Sequence, residues 1–315
     1  MRAAQLATVE RPPPPLPAGG TIDLVRRLWR LPLMRSARKH RRVDGIANNV
    51  KAALVFADPA RYAARELTAA AAAHLGRETA ATPHRLRGSE LVAHVRHGTV
   101  DSEVVKEVFV HQHYEMPAEV AAALDALPHP MRLVDLGGHV GLGGLFFLTR
   151  FPTAEVVSFE PDPLNLAVLR RTLEANREQA RWRVVEACAA TESGLVRFIG
   201  GESWSSRIAD PDEACEGASS LSLVPTRDVF PYLEDADVLK IDIEGGEWAI
   251  LADSRLEHVP ARVIALEYHR FSCEAREPRE QAASALEGAG YAVRDIIPSS
   301  GGIGMMWAWR TGQHS

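Results

Sequence analysis

The residues able to do chemistry stand at the ends of apolar runs. Leu133-Val-Asp-Leu-Gly-Gly-His-Val-Gly141 closes on Asp135 and then on glycines, and Glu155-Val-Val-Ser-Phe-Glu160 closes on a carboxylate followed by Pro161. A strand, a glycine turn, a helix and a strand ending in an acid make a nucleotide-binding half-fold. The glycines bring backbone close to the ligand, and the acid accepts hydrogen bonds from ribose hydroxyls. The spacing therefore predicts a ligand that contains adenosine. Further along, Val238-Leu-Lys-Ile-Asp-Ile-Glu-Gly-Gly-Glu247 ends in Asp242 and Glu244, which face one side of an extended strand, with Gly245 and Gly246 able to turn sharply. Arg262-Val-Ile-Ala-Leu-Glu-Tyr-His269 brings Glu267 and His269 to another strand end. Open α/β sheets bind ligands at those ends, where carboxylates and an imidazole suit proton transfer. The structural alternative for Asp242 and Glu244 is that one caps the next helix and the other pairs with Lys240.

The glycine spacing narrows the ligand. A dinucleotide fingerprint G-x-G-x-x-G starting at Gly141 would need a glycine at 146, which is Phe146. Asp135 would repel a pyrophosphate and suits a cationic amino group. S-adenosylmethionine carries an ammonium and a sulfonium and no phosphate, so the pattern favours it over a nicotinamide cofactor.

Taken in order, Val-Asp-Leu-Gly-Gly-His-Val-Gly at 134–141, Phe-Glu-Pro-Asp-Pro at 159–163, Leu-Lys-Ile-Asp-Ile-Glu-Gly at 239–245 and Leu-Glu-Tyr-His at 266–269 resemble the FkbM-type S-adenosylmethionine-dependent methyltransferases. The resemblance covers residues 98–297, and departs from the usual pattern at Gly138-His139 and Cys188-Ala189. It implies an α/β fold with a Rossmann-like seven-stranded sheet, and O-methylation of a hydroxyl on a sugar, polyketide or peptide-derived secondary metabolite. A carboxylate or nitrogen acceptor stays open. Asp135, Gly137, Gly138, His139 and Gly141 would frame the methionine end, Glu160 and Pro161 the ribose, and Cys188 and Ala189 the adenine. Tyr114 would cover the cofactor, and Trp204, Ser206 and Glu267 would meet the substrate.

Methyl transfer to an unactivated alcohol benefits from a base. His269 is the first choice, because an ordinary imidazole pKa near 6.5 leaves a neutral fraction at cytoplasmic pH. Glu244 and Asp242 are the alternatives, with His139 behind them; Asp242 could instead bind the methionine ammonium. Asp242 and Glu244 could also ligate magnesium, but with no third carboxylate identifiable no metal is expected.

Composition frames these motifs. The chain has 315 residues, 46% of them hydrophobic, without an apolar run near the roughly 20 residues of a membrane span. The net charge of −5 gives no reason to invoke nucleic acid. Cys188, Cys215 and Cys273 lie far apart, suggesting neither zinc nor disulfides and a reducing cytoplasm. Residues 1–20 are proline-rich, and 21–42 mix apolar residues with arginines, a pattern that favours packing or a solvated basic helix over membrane contact. Residues 43–97 read as helices, which makes 21–125 a helical cap and 126–315 the cofactor domain. A small-molecule substrate is expected, and a homo-oligomer is left open. The rival classes are a nicotinamide oxidoreductase and a cofactor-binding module without catalysis.

Overall fold

The computed structural model describes residues 41–73, 80–200, 207–208, 220–270, 272–273, 277–300 and 302–310. The cap opens with helices α1 (Arg41–Leu54) and α2 (Pro59–Ala73), followed by the antiparallel strands β1 (Thr82–Arg85) and β2 (Val92–Val95). The helical expectation for 43–97 is therefore corrected beyond residue 80. Pro83 bars a helix interior, burial alternates along β2, and Gly88 turns the chain with φ 74°. Helix α3 (Val100–Val105) continues into a single π turn, Lys106–Val110, and α4 (Ala118–Asp125) leads into the main sheet.

That sheet starts at β3 (Arg132–Leu136) and extends to one side through α5 (Leu142–Arg150), β4 (Glu155–Phe159), α6 (Pro163–Asn176) and β5 (Trp182–Val185). Strands β6 (Cys188–Ala190), β7 (Gly194–Gly200), β8 (Arg207–Ile208) and β9 (Ser220–Asp228) then form a separate small sheet in the order β6-β9-β7-β8. A helical turn, α7 (Phe230–Leu233), precedes β10 (Val238–Ile241), α8 (Glu247–Ala252) and β11 (Val263–Tyr268), and α9 (Pro278–Gly288) precedes β12 (Ala292–Ser300) and β13 (Ile303–Trp309). The seven strands run β12-β13-β11-β10-β3-β4-β5, with β13 antiparallel to both neighbours. The seven-stranded sheet that the resemblance implied is present. Strands β12 and β13 pair as far as Ser300 and Ile303.

Strand alternation divides the core. On β3, β10 and β11, Leu133, Val238, Val263 and Ala265 pack toward the cap side, while Val134, Leu136, Leu239, Ile241, Ile264 and Leu266 pack toward α7, α8 and α9. The chain goes from β3 outward to β5 and returns to β10 on the other side of β3. That reversal opens a crevice at the carboxyl ends of β3 and β10, where such sheets bind ligands. The cap is fastened to α6: the Asn176 side chain accepts from the Val92 N–H and donates to the Val92 carbonyl, both at 2.7 Å. Arg96 donates to Asn165 Oδ1 at 2.6 Å. Among the described residues no helix is long and apolar enough to cross a membrane.

Candidate active site

Register puts three polar residues in a row through the sheet: Lys240 opposite Asp135, and Asp135 opposite Ser158. Lys240 Nζ lies 2.9 Å from Asp135 Oδ1 and donates to the Gly137 carbonyl at 2.6 Å. Ser158 Oγ donates to Asp135 Oδ2 at 3.0 Å and accepts from Trp182 Nε1 at 3.0 Å. Burial works against the Lys240 ammonium, yet the charges of Asp135, Tyr114 and Asp242 more than offset it and hold its pKa well above the ordinary value. Asp135 is 1% exposed and is absent from the cavity wall, whereas Lys240 is part of it. The Asp135 carboxylate is engaged by Lys240 from the neighbouring strand on one side and by Ser158 on the other.

The glycine turn sits on this pair. Gly137 has φ 88°, and a Cβ there would stand 1.9 Å from the Asp242 carbonyl oxygen. The N–H groups of Gly137 and Gly138 donate to the Phe159 carbonyl at 3.1 and 2.8 Å. His139 adopts φ 48°, and its N–H donates to Glu160 Oε2 at 2.7 Å. Glu160 Oε1 accepts from the Asp162 N–H and from Asn165 Nδ2. Burial pushes Glu160 up to about 7, against the lowering effect of those bonds. Gly141, with φ 91°, starts α5 and packs under Leu169 and Trp182, away from the cavity wall.

A cavity of about 460 Å³ joins these residues to the other strand ends. Gly137, Gly138, His139, Glu160, Pro161, Cys188 and Ala189 line it together with Tyr114, Asp242, Glu244, Glu267 and His269. The cap adds Glu107 and His113. A turn with no room for side chains beside a buried carboxylate suits the nucleoside and amino-acid portions of S-adenosylmethionine.

Asp242 and Glu244 meet by a turn and not by strand alternation, since β10 stops at Ile241 and Glu244 has φ 51°. Glu247 fixes that turn: it is fully buried, and its Oε2 accepts from the Gly245 N–H at 2.8 Å. Its Oε1 accepts from the His269 N–H at 2.7 Å and lies 3.0 Å from His269 Nδ1. Burial alone would lower the His269 pKa, but the Glu247 hydrogen bond and the charges of Asp242, Glu244 and Glu247 push it up to about 10. Burial and Asp242 hold Glu267 well above the carboxylate range, and burial with Asp242, Glu103 and Glu244 brings Glu107 to about 7. A ring nitrogen of His269 and one carboxylate oxygen each of Asp242 and Glu244 lie within 4.8 Å of one another.

Trp204 and Ser206 lie outside the described residues. Lys240, Glu107, Glu247 and Asn165 escaped the sequence reading as site residues. A lysine inside an apolar strand was the visible signal for the first; the others depend on contacts made across the fold.

Two fungal relatives share part of this chain. Methyltransferase sdnD of Sordaria araneosa is 24% identical over 49% of this chain and 69% of its own length. Methyltransferase 1 of Beauveria bassiana is 22% identical over 60% of this chain and 80% of its own. The crystal structure of precorrin-6y C5,15-methyltransferase from Geobacter metallireducens superposes with a TM-score of 0.36 at 18% identity, over 62% of this chain and 90% of that one. Residues 135–293 match the model of the methyltransferase FkbM domain, a span holding the glycine turn, Glu160 and the Asp242–His269 cluster. The chain belongs to the FkbM family of S-adenosylmethionine-dependent methyltransferases.

Proposed function

We propose that this enzyme methylates a hydroxyl of a small molecule, such as a sugar, polyketide or peptide-derived secondary metabolite, in the cytoplasm. The observation that supports this reading is that one cavity is lined both by the Gly137–Glu160 cradle and by Asp242, Glu244, Glu267 and His269. Gly137, Gly138, His139 and Asp242 would hold the methionine portion of the cofactor, Glu160 and Pro161 the ribose, and Cys188 and Ala189 the adenine, with Tyr114 closing over it. When bound, S-adenosylmethionine supplies an electrophilic methyl group on a sulfonium.

The chain's own part is to align the acceptor oxygen, exclude water and receive the hydroxyl proton. Glu244 takes that proton, with Asp242 as the alternative in place of its methionine contact. His269, its ring held by Glu247, orients them, and Glu267 meets the acceptor. Amine methylation is the second reading, since Glu107, Asp242, Glu244 and Glu267 all line the cavity and suit a cationic acceptor. The test is calorimetric titration with S-adenosylhomocysteine, with NAD and NADP as controls, then a screen of hydroxyl and amine acceptors with a labelled methyl donor. Label on oxygen supports the proposal. Label on nitrogen alone replaces it with the second reading, and nicotinamide binding without S-adenosylhomocysteine binding overturns both.

A further inference from the structure

His269 is 3% exposed, and its two nitrogens have different surroundings. Nδ1 is clamped by Glu247, whose carboxylate is fully occupied by the His269 ring and N–H and by the Gly245 N–H. Nε2 is turned toward the carboxylates, 3.6 Å from Glu244 Oε2 and 3.9 Å from Glu267 Oε1. Among the described residues no acceptor is within hydrogen-bond reach of it. A direct charge-assisted hydrogen bond would close such a gap to about 2.7–2.9 Å. A shared ion would not: first-row divalent metals sit about 2.0–2.2 Å from imidazole nitrogen and carboxylate oxygen, so two ligands of one ion stand about 3–4.4 Å apart. The Nε2–Glu244 separation falls inside that span, and the candidate ligand atoms of Asp242, Glu244 and His269 all lie within 4.8 Å of one another.

We propose that Asp242, Glu244 and His269 Nε2 bind a divalent metal ion, with Glu247 as the positioning residue that orients the imidazole. A buried carboxylate holding the far nitrogen of a ligating histidine is the usual support for such a site. Two carboxylates and one imidazole suit a hard-to-borderline ion such as Mn²⁺. The turn is built for the purpose: Glu247 Oε2 holds the Gly245 N–H, which keeps Glu244 in its left-handed conformation beside Asp242. Glu267 stands at the edge of the cluster, placed to meet a water or hydroxyl on the ion. Binding of the metal does not depend on the function proposed above; only its role, to hold the acceptor oxygen, rests on that reading.

The test uses the full chain, stripped with a chelator and titrated with MnCl₂ by calorimetry, with and without S-adenosylhomocysteine. Electron spin-echo spectroscopy of the Mn²⁺ complex detects a directly bound nitrogen without recourse to a variant. The expected result is one Mn²⁺ per chain with one coordinated nitrogen. Glu244→Gln and His269→Gln should each weaken Mn²⁺ binding at least about tenfold while still binding S-adenosylhomocysteine, and the second should erase the nitrogen signal. Absence of a saturable site, an Mn²⁺ complex without coordinated nitrogen, or unchanged affinity in both variants overturns the metal. So does a wild type that takes no Mn²⁺ together with a Glu244→Gln variant that loses S-adenosylhomocysteine binding, which would give the cluster to the cofactor's ammonium. Failure of the wild type to bind S-adenosylhomocysteine counts against the methyltransferase site and leaves the Mn²⁺ result standing by itself.

Discussion

Lys240 and Asp135, 3% and 1% exposed, form an ion pair across neighbouring strands at 2.9 Å, directly beneath the glycine turn. Removing one member of such a pair leaves an uncompensated charge in the core. Asp135→Ala should lose about 3–5 kcal/mol of stability, and Asp135→Leu combined with Lys240→Met should recover most of it. Urea denaturation of the single and double variants measures both. An Asp135→Ala protein as stable as the wild type would show that the pair is not structural.

Gly137 is held by collision as well as by φ. Alanine there would put Cβ 1.9 Å from the Asp242 carbonyl, whereas at Gly290, also at positive φ, nothing lies within 4 Å. Gly137→Ala should abolish S-adenosylhomocysteine binding in calorimetry. Gly290→Ala should cost only about 1 kcal/mol and leave binding intact.

The ribose role proposed for Glu160 implies a pH window for cofactor binding. Its pKa is raised to about 7 from an ordinary 4.5, so in the ligand-free protein its contribution to stability is fully present below 4.5 and is lost as pH rises through 7. Ribose hydroxyls favour the charged form, so affinity should run the other way and fall close to tenfold between pH 7.5 and 6. Glu160→Gln should bind weakly and with a flat profile. A sloping profile in that variant would assign the titration to another group.

The cap carries its own acid sensitivity. His84 Nε2 meets His97 Nε2 at 2.8 Å, and His97 Nδ1 meets Glu66 at 2.7 Å. Burial, then the charge of His97, lowers the His84 pKa from 6.5 to about 4. The stability it contributes is present above 6.5 and is lost as pH falls through 4, an effect of about 2–3 kcal/mol. Thermal unfolding between pH 7 and 4 should show a steeper decline in the wild type than in His84→Gln. Parallel curves would remove His84 from the account.

Local chemistry made the sheet readable in advance. The apolar runs ending at Leu136, Phe159, Ile241 and Tyr268 are strands because their residues serve cores on both faces, and glycines follow where the chain must turn. Gly137 and Glu160 stood out for the same reason. The pairing of Asp135 with Lys240 did not, because it is set by strand register, and register is a property of the assembled sheet. The raised pKa of His269 was hidden similarly: an imidazole's ionisation follows from neighbours such as Glu247, which lies on a different element. In the cap, Pro83 and the alternation along Val92–Val95 were the legible signs of strands that helix-favouring composition obscured.

The fastening of Val92 to Asn176 and of Arg96 to Asn165 has a consequence for chain engineering. The Asn176 side chain satisfies a strand N–H and carbonyl as a neighbouring strand would, so the first segment of the protein treats helix α6 as an extension of its own small sheet. A graft of this cap onto another member of the family, cut at the sequence boundary before β3, would arrive with those backbone groups unmatched. A transplant that folds has to carry the Asn165–Asn176 face of α6 along with the cap, and the practical seam between the two parts runs down that helix.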